Sequence, residues 1–118
     1  MKIYVHGGKK HHKDITRSVI EWCLDFFNLP EKMKISVELI GRRKDIDCWG
    51  ECEEGKNKHE YNIKIVYDQT LRDFMATITH ELVHVNQWET GEWEGDGEKE
   101  AEMFQYILAD QIWRKVKL

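Results

Sequence analysis

At 118 residues, with a formal charge of −4 and a single proline, the chain has the size of one domain whose core needs neither disulfides nor a structural metal. The acidic balance argues against a dedicated nucleic-acid binder, which needs a basic face for phosphate; Lys9-Lys10-His11-His12-Lys13 is the one local basic run. No apolar run approaches the roughly 20 residues of a membrane span, Met1–His6 lacks the apolar core of a signal peptide, and three cysteines form no disulfide framework, so a reducing cytoplasm is the expected setting.

Met1–Val5 reads as a short strand closed by His6-Gly7-Gly8, and Lys9–Lys13 as a solvated loop. From Asp14 to Asn28, Ile15, Val19, Trp22, Cys23, Phe26 and Phe27 recur at helical spacing, and Leu29-Pro30 closes the segment. Cys23 lies in that apolar stripe and is expected to be a buried, inert thiol. Ile35, Val37 and Leu39 alternate with Ser36 and Glu38, which predicts a half-buried strand ended by Gly41. A charged turn over Arg42–Asp45 follows, then a strand with Ile46, Cys48, Gly50 and Cys52 on one face and Trp49 on the other. Glu53–Lys58 is a hairpin connection, and Tyr61–Tyr67 shows the clearest alternation in the chain. Cys48 and Cys52 read as ordinary strand thiols. A structural zinc site needs two more ligands, and Cys23, His6 and His59 form no second pair with the right spacing.

Thr70-x-x-Asp73 resembles a capping box and predicts a helix running to about Trp88. Leu71, Met75, Ile78, Leu82 and Val85 form its core stripe. Within it stands His80-Glu81-Leu82-Val83-His84, an H-E-x-x-H pentapeptide. Histidines four apart lie one turn apart on one helix face, so both imidazoles can reach a single metal ion. Glu81 is placed to polarise a metal-bound water as general base. The wheel sets both histidines nearly opposite the core stripe, on a second face with Asp73, Thr77, Glu81 and Trp88, whereas a structural histidine belongs on the stripe.

Glu89–Gly97 breaks that helix, Asp96 is the expected N-cap of the next, and the last helix runs from about Gly97 into the Lys115–Leu118 tail. A catalytic zinc keeps three protein ligands and an open position. At about 100° per residue, Glu100 falls in line with Phe104 and Ile107 in the stripe Ala101, Phe104, Ile107, Leu108, Ile112, while Glu98 and Glu102 project to the solvated face. A carboxylate on an apolar face needs a partner, so Glu100 is the expected third ligand. The competing reading pairs it with an arginine such as Arg72, and His59 is the next candidate ligand.

These residues resemble the zincin metallopeptidases, specifically the gluzincin arrangement with a glutamate ligand on a following helix. Glu100-Ala101 followed by Met103-Phe104 looks like the glutamate helix of ImmA/IrrE-type peptidases. His80–Gln87 looks like the active-site helix of small phage-encoded zincin-like proteins. The resemblance implies one Zn²⁺ held by His80, His84 and Glu100, Glu81 as general base, a protein or peptide substrate, and a phage-encoded protein of the host cytoplasm. It also implies an α+β, zincin-like fold: an N-terminal helix on a small antiparallel or mixed sheet, then the H-E-x-x-H helix and a glutamate helix. Thermolysin-like enzymes carry an Asp four residues after the ligand glutamate, where this chain has Phe104, so the histidines must be oriented from elsewhere, Asp73 or a backbone carbonyl being the options. SprT-like proteases use a third histidine, and none follows His84 here.

Tyr61, Tyr67, Tyr106 and His59 are the candidates for stabilising an oxyanion, and Trp88 and Trp93 for a hydrophobic subsite. Two other function classes remain open on sequence: a zinc-binding protein-interaction module of zincin fold with little or no protease activity, and a structural domain without metal.

Overall fold

The sequence patterns resolve into β1 (Lys2–His6), α1 (Lys10–Phe26), β2 (Lys34–Ile40), β3 (Gly50–Glu54), β4 (Glu60–Val66), α2 (Leu71–Thr90) and α3 (Glu98–Val116). They are seen in a computed structural model that describes residues 1–41 and 48–116. The expected turn over Arg42–Asp45, the start of the third strand at Ile46 and the last two residues of the tail lie outside the described residues.

The architecture is α+β, with three helices and one mixed sheet in the order β1-β2-β4-β3. β1, β2 and β4 run parallel, and β3 lies antiparallel to β4 at the edge. Register carries Val5, Val37, Ile63 and Cys52 across the sheet in one row, with Leu39, Ile65 and Gly50 in the next. Ile35, Val37, Leu39, Tyr61, Ile63 and Ile65 are buried, whereas Glu38, Asn62 and Lys64 between them are exposed. One face therefore meets the helices and the other meets solvent, which is why the strands alternate so cleanly. Each buried isoleucine on that face contributes roughly 1.5–3 kcal/mol through burial.

Helix α1 begins at Lys10, so the Lys9–Lys13 run is its N-terminus rather than a loop. The Lys9 backbone N–H donates to His12 Nδ1 at 3.0 Å, which satisfies one of the donors a helix start leaves open. The His12 ring packs 4.4 Å from that of Tyr67 and edge-on to Phe74. The rest of the run is exposed as its charge suggests, and only His12 is half-buried.

Helix α2 starts where the capping residues predict, with Thr70 Oγ1 accepting the Asp73 N–H at 3.2 Å. It ends at Gly91, in the left-handed conformation. Met75, Ile78, Leu82 and Val85 are buried as the stripe requires, while Leu71 in the first turn is exposed. α2 packs against α1, α3, β3 and β4, so Phe74, Ala76, Thr79 and Val83 are buried too. The edge strand β3 passes directly over this helix at Gly50, where a Cβ would meet Thr77 Cγ2 at 2.7 Å. Only glycine permits that approach.

Helix α3 differs from expectation in its rotation. Ala101, Leu108, Ala109 and Ile112 are buried, but Phe104 is 38% and Ile107 51% exposed. The inward line runs Glu98, Ala101, Gln105, Leu108, Ile112, at spacings of three and four residues. Small Ala101 and Ala109 turn toward α2 and let the two helices pack closely, which leaves the bulkier apolar side chains outside. Among the described residues, no helix is long and apolar enough to cross a membrane.

Candidate metal centre

Asp73, Thr77, His80, Glu81, His84 and Trp88, the off-stripe face of α2, line a cleft of about 990 Å³. β3 forms one wall and α3 the other. One donor atom each from His80, Glu81 and His84 falls within 4.8 Å of the others, the one such group among the described residues. His84 is 6% and Glu81 3% exposed.

Both imidazoles are held by glutamine amides. His80 Nδ1 lies 2.7 Å from Gln105 Oε1, and His84 Nδ1 lies 2.9 Å from Gln87 Oε1. The fully buried Gln87 has its amide orientation fixed, because its Nε2 donates to Gly97 O and to Glu100 Oε1, both at 2.9 Å. Its oxygen can then only accept, so the proton of His84 is on Nδ1 and the Nε2 lone pair faces the cleft. Gln105 meets His80 through the same atom, with Glu98 on the other ring nitrogen. Gly97, with φ +80°, makes room for this arrangement, since a Cβ there would overlap the Gln87 amide. These outer partners differ from the expected Asp73, whose Oδ1 instead accepts the Tyr106 O–H at 2.7 Å.

The carboxylate that meets the histidines is Glu98, not Glu100. Glu98 Oε2 is 3.0 Å from His80 Nε2, and Oε1 is 2.8 Å from His84 Nε2. Glu100 turns away to Gln87. The reason is the rotation of α3: Glu98, itself half-exposed, stands in helical line with Ala101 and Gln105 on the side that faces α2, whereas Glu100 lies about 200° away. The spacing from Glu98 to Ala101, Gln105, Leu108 and Ile112 was a readable signal for it. Arg72 pairs with Asp110 through two 3.0 Å contacts and not with Glu100. His59, the other candidate ligand, is 2.7 Å from Glu89 and takes no part.

His80 Nε2 makes a 3.0 Å hydrogen bond with Glu98 Oε2, whereas the lone pair of His84 Nε2 meets Glu98 Oε1 at 2.8 Å, a contact that a shared cation would relieve. Despite its 2.8 Å separation from Glu98, His84 Nε2 is misaligned for a hydrogen bond, and both it and Glu81 Oε2 are buried without a hydrogen-bond partner. Two nitrogen donors and one carboxylate oxygen, with buried orphan acceptors beside them, fit a divalent metal such as zinc.

Burial pushes the Glu81 carboxyl up; His80 and His84 pull it down, Glu98 and Glu51 push it further up, and it stands at about 7. A folded pKa above the unfolded one means that the native state holds more protons between about 4.5 and about 7. Stability of the metal-free protein therefore falls as pH rises through that window. Denaturation of the chelated protein should show Glu81→Gln more stable than wild type at about pH 8, with the difference closing near about pH 5.

Of the four oxyanion candidates only Tyr106 lines the cleft. Tyr61 and His59 are both bound to Glu89, and Tyr67 packs on His12. Trp88 lines the cleft with its ring parallel to that of His84, whereas Trp93 is exposed and donates to Gly95 O. Cys23 is fully buried and its thiol is pushed up to about 12, that of an inert core side chain. Cys52 faces inward beside Ile63, and the Cys48 thiol donates to Gly50 O. Comparison with known proteins gives no significant match to a family model, a curated protein or a solved structure.

Proposed function

We propose that the chain is a minimal zinc-dependent metallopeptidase of zincin-like fold, with His80, His84 and Glu98 as the metal ligands. The observation that carries this reading is the convergence of His80 Nε2, His84 Nε2 and the Glu98 carboxylate beside the buried, unpartnered Glu81 oxygen. A divalent zinc ion bound there supplies a Lewis acid that polarises the scissile carbonyl and acidifies water. Glu81 accepts the proton of the attacking water and delivers it to the departing amine nitrogen, so a C–O bond forms, the C–N bond breaks, and carboxyl and amine products result. A carboxyl raised toward neutrality by burial suits both halves of that transfer. Gln87 and Gln105 hold the imidazoles by their Nδ1 atoms, and Gln87 fixes the tautomer of His84. Tyr106 borders the cleft, with its hydroxyl proton given to Asp73.

The edge strand β3 adds a second requirement of the reading: Gly50, Glu51 and Cys52 line the cleft, and among the described residues this strand has one neighbour, which leaves its other edge for an extended peptide to pair with. With Glu98 as ligand, the residue four positions on is Glu102, a carboxylate lining the cleft. The test is cleavage of an unstructured protein, abolished by a chelator and restored by Zn²⁺. Stoichiometric zinc without any cleavage would instead support a zinc-binding interaction module.

A further inference from the structure

Among the described residues, the aspartate, glutamate, lysine and arginine side chains that line the cleft are all acidic. Glu81 and Glu98 occupy its floor, and Glu51 on β3, Asp73 on α2, Asp96 before α3 and Glu102 on α3 line its walls. Among the described residues no lysine or arginine lines it, although the chain carries 18 such side chains against 22 acidic ones. A divalent cation would offset the two floor carboxylates and leave the four on the walls. Tyr106 and the Thr70 cap hold the Asp73 carboxyl below its ordinary range, so it stays anionic. Lys64 stands 3.8 Å from Glu51 and screens that carboxylate in part. The buried, unpartnered Glu81 Oε2 and His84 Nε2 mark the same cleft as a ligand site independently of its wall charge.

We infer that the cleft takes a cationic stretch of polypeptide, an extended segment with lysine or arginine side chains on both sides of the residue placed against Glu81. The inference rests on the peptidase reading for the site's role, but the charge argument concerns binding alone. A one-signed cleft with low-dielectric walls focuses its field and steers oppositely charged ligands. Glu102 lies one turn beyond Glu98 on α3, at the mouth, where a basic side chain can pair with it while still half in water.

The experiment uses the full chain, zinc-loaded and carrying Glu81→Gln to prevent turnover. Two fluorescent, unstructured peptides of equal length are titrated against it, one flanked by lysine and arginine, the other by glutamate. The cationic peptide should bind at least about 10-fold tighter at low salt, with the preference collapsing at high salt. Glu51→Gln combined with Glu102→Gln should remove most of that preference without loss of zinc. Equal binding, tighter binding of the acidic peptide, or no binding of either overturns the inference. Cationic binding in this variant with no cleavage of the same peptide by the wild type supports the ligand class and overturns the peptidase reading instead.

Discussion

Glu81→Gln should lower the hydrolysis rate by about 10²–10⁴-fold, the usual worth of a positioned general base, while zinc remains bound. Gln fills the same volume but cannot take the proton that the buried, unpartnered Glu81 Oε2 is placed to accept. Metal content measured beside the cleavage rate separates this from a damaged site. Removing the charge also relieves its burial, so the variant should be folded and at least as stable as wild type above neutral pH. Unchanged cleavage in this variant would rule the mechanism out.

Glu98→Ala and Glu100→Ala should behave differently despite standing two residues apart. Loss of Glu98 takes away the carboxylate that faces both histidines, and zinc affinity measured by competition with a chromophoric chelator should fall by more than the about 10–100-fold typical of an outer-partner mutation. Loss of Glu100 frees one donor of Gln87, which still holds Gly97 O, so its effect should stay within that about 10–100-fold range or below it. The opposite ranking would return the third-ligand role to Glu100. Gln87→Ala and Gln105→Ala are the calibrating controls, since each leaves one histidine Nδ1 without its amide partner.

Much of the candidate site was legible in the chain itself. His80, Glu81 and His84 sit within two turns of one helix, so covalent geometry and helical pitch fix their mutual placement once the helix forms. Thr70 sets its start, and the stripe Met75, Ile78, Leu82, Val85 sets which face is buried. The strand alternation at Ile35–Leu39 and Tyr61–Ile65 was likewise readable, because the sheet has one dry face and one wet one. The Lys9–Lys13 run is solvated as its charge indicates, but it is helical rather than a loop, and His12 is half-covered by Tyr67 and Phe74, which lie far along the chain and leave no local signal.

What the sequence by itself determined, then, is the pair of histidines, the neighbouring glutamate and the helix that presents them away from its main apolar stripe. Which glutamate faces that pair was decided only in three dimensions. Residues two apart on a helix point about 200° apart, so the choice between Glu98 and Glu100 depends on how α3 is rotated against α2. The apolar content of Phe104 and Ile107 suggested one rotation; the close fit of Ala101 and Ala109 against α2 set another. Tertiary packing also chose β3 for the edge beside the cleft, through a contact that only Gly50 allows. Periodicity reports which side chains are apolar, but the phase of one helix against its neighbour follows from how closely their backbones can approach.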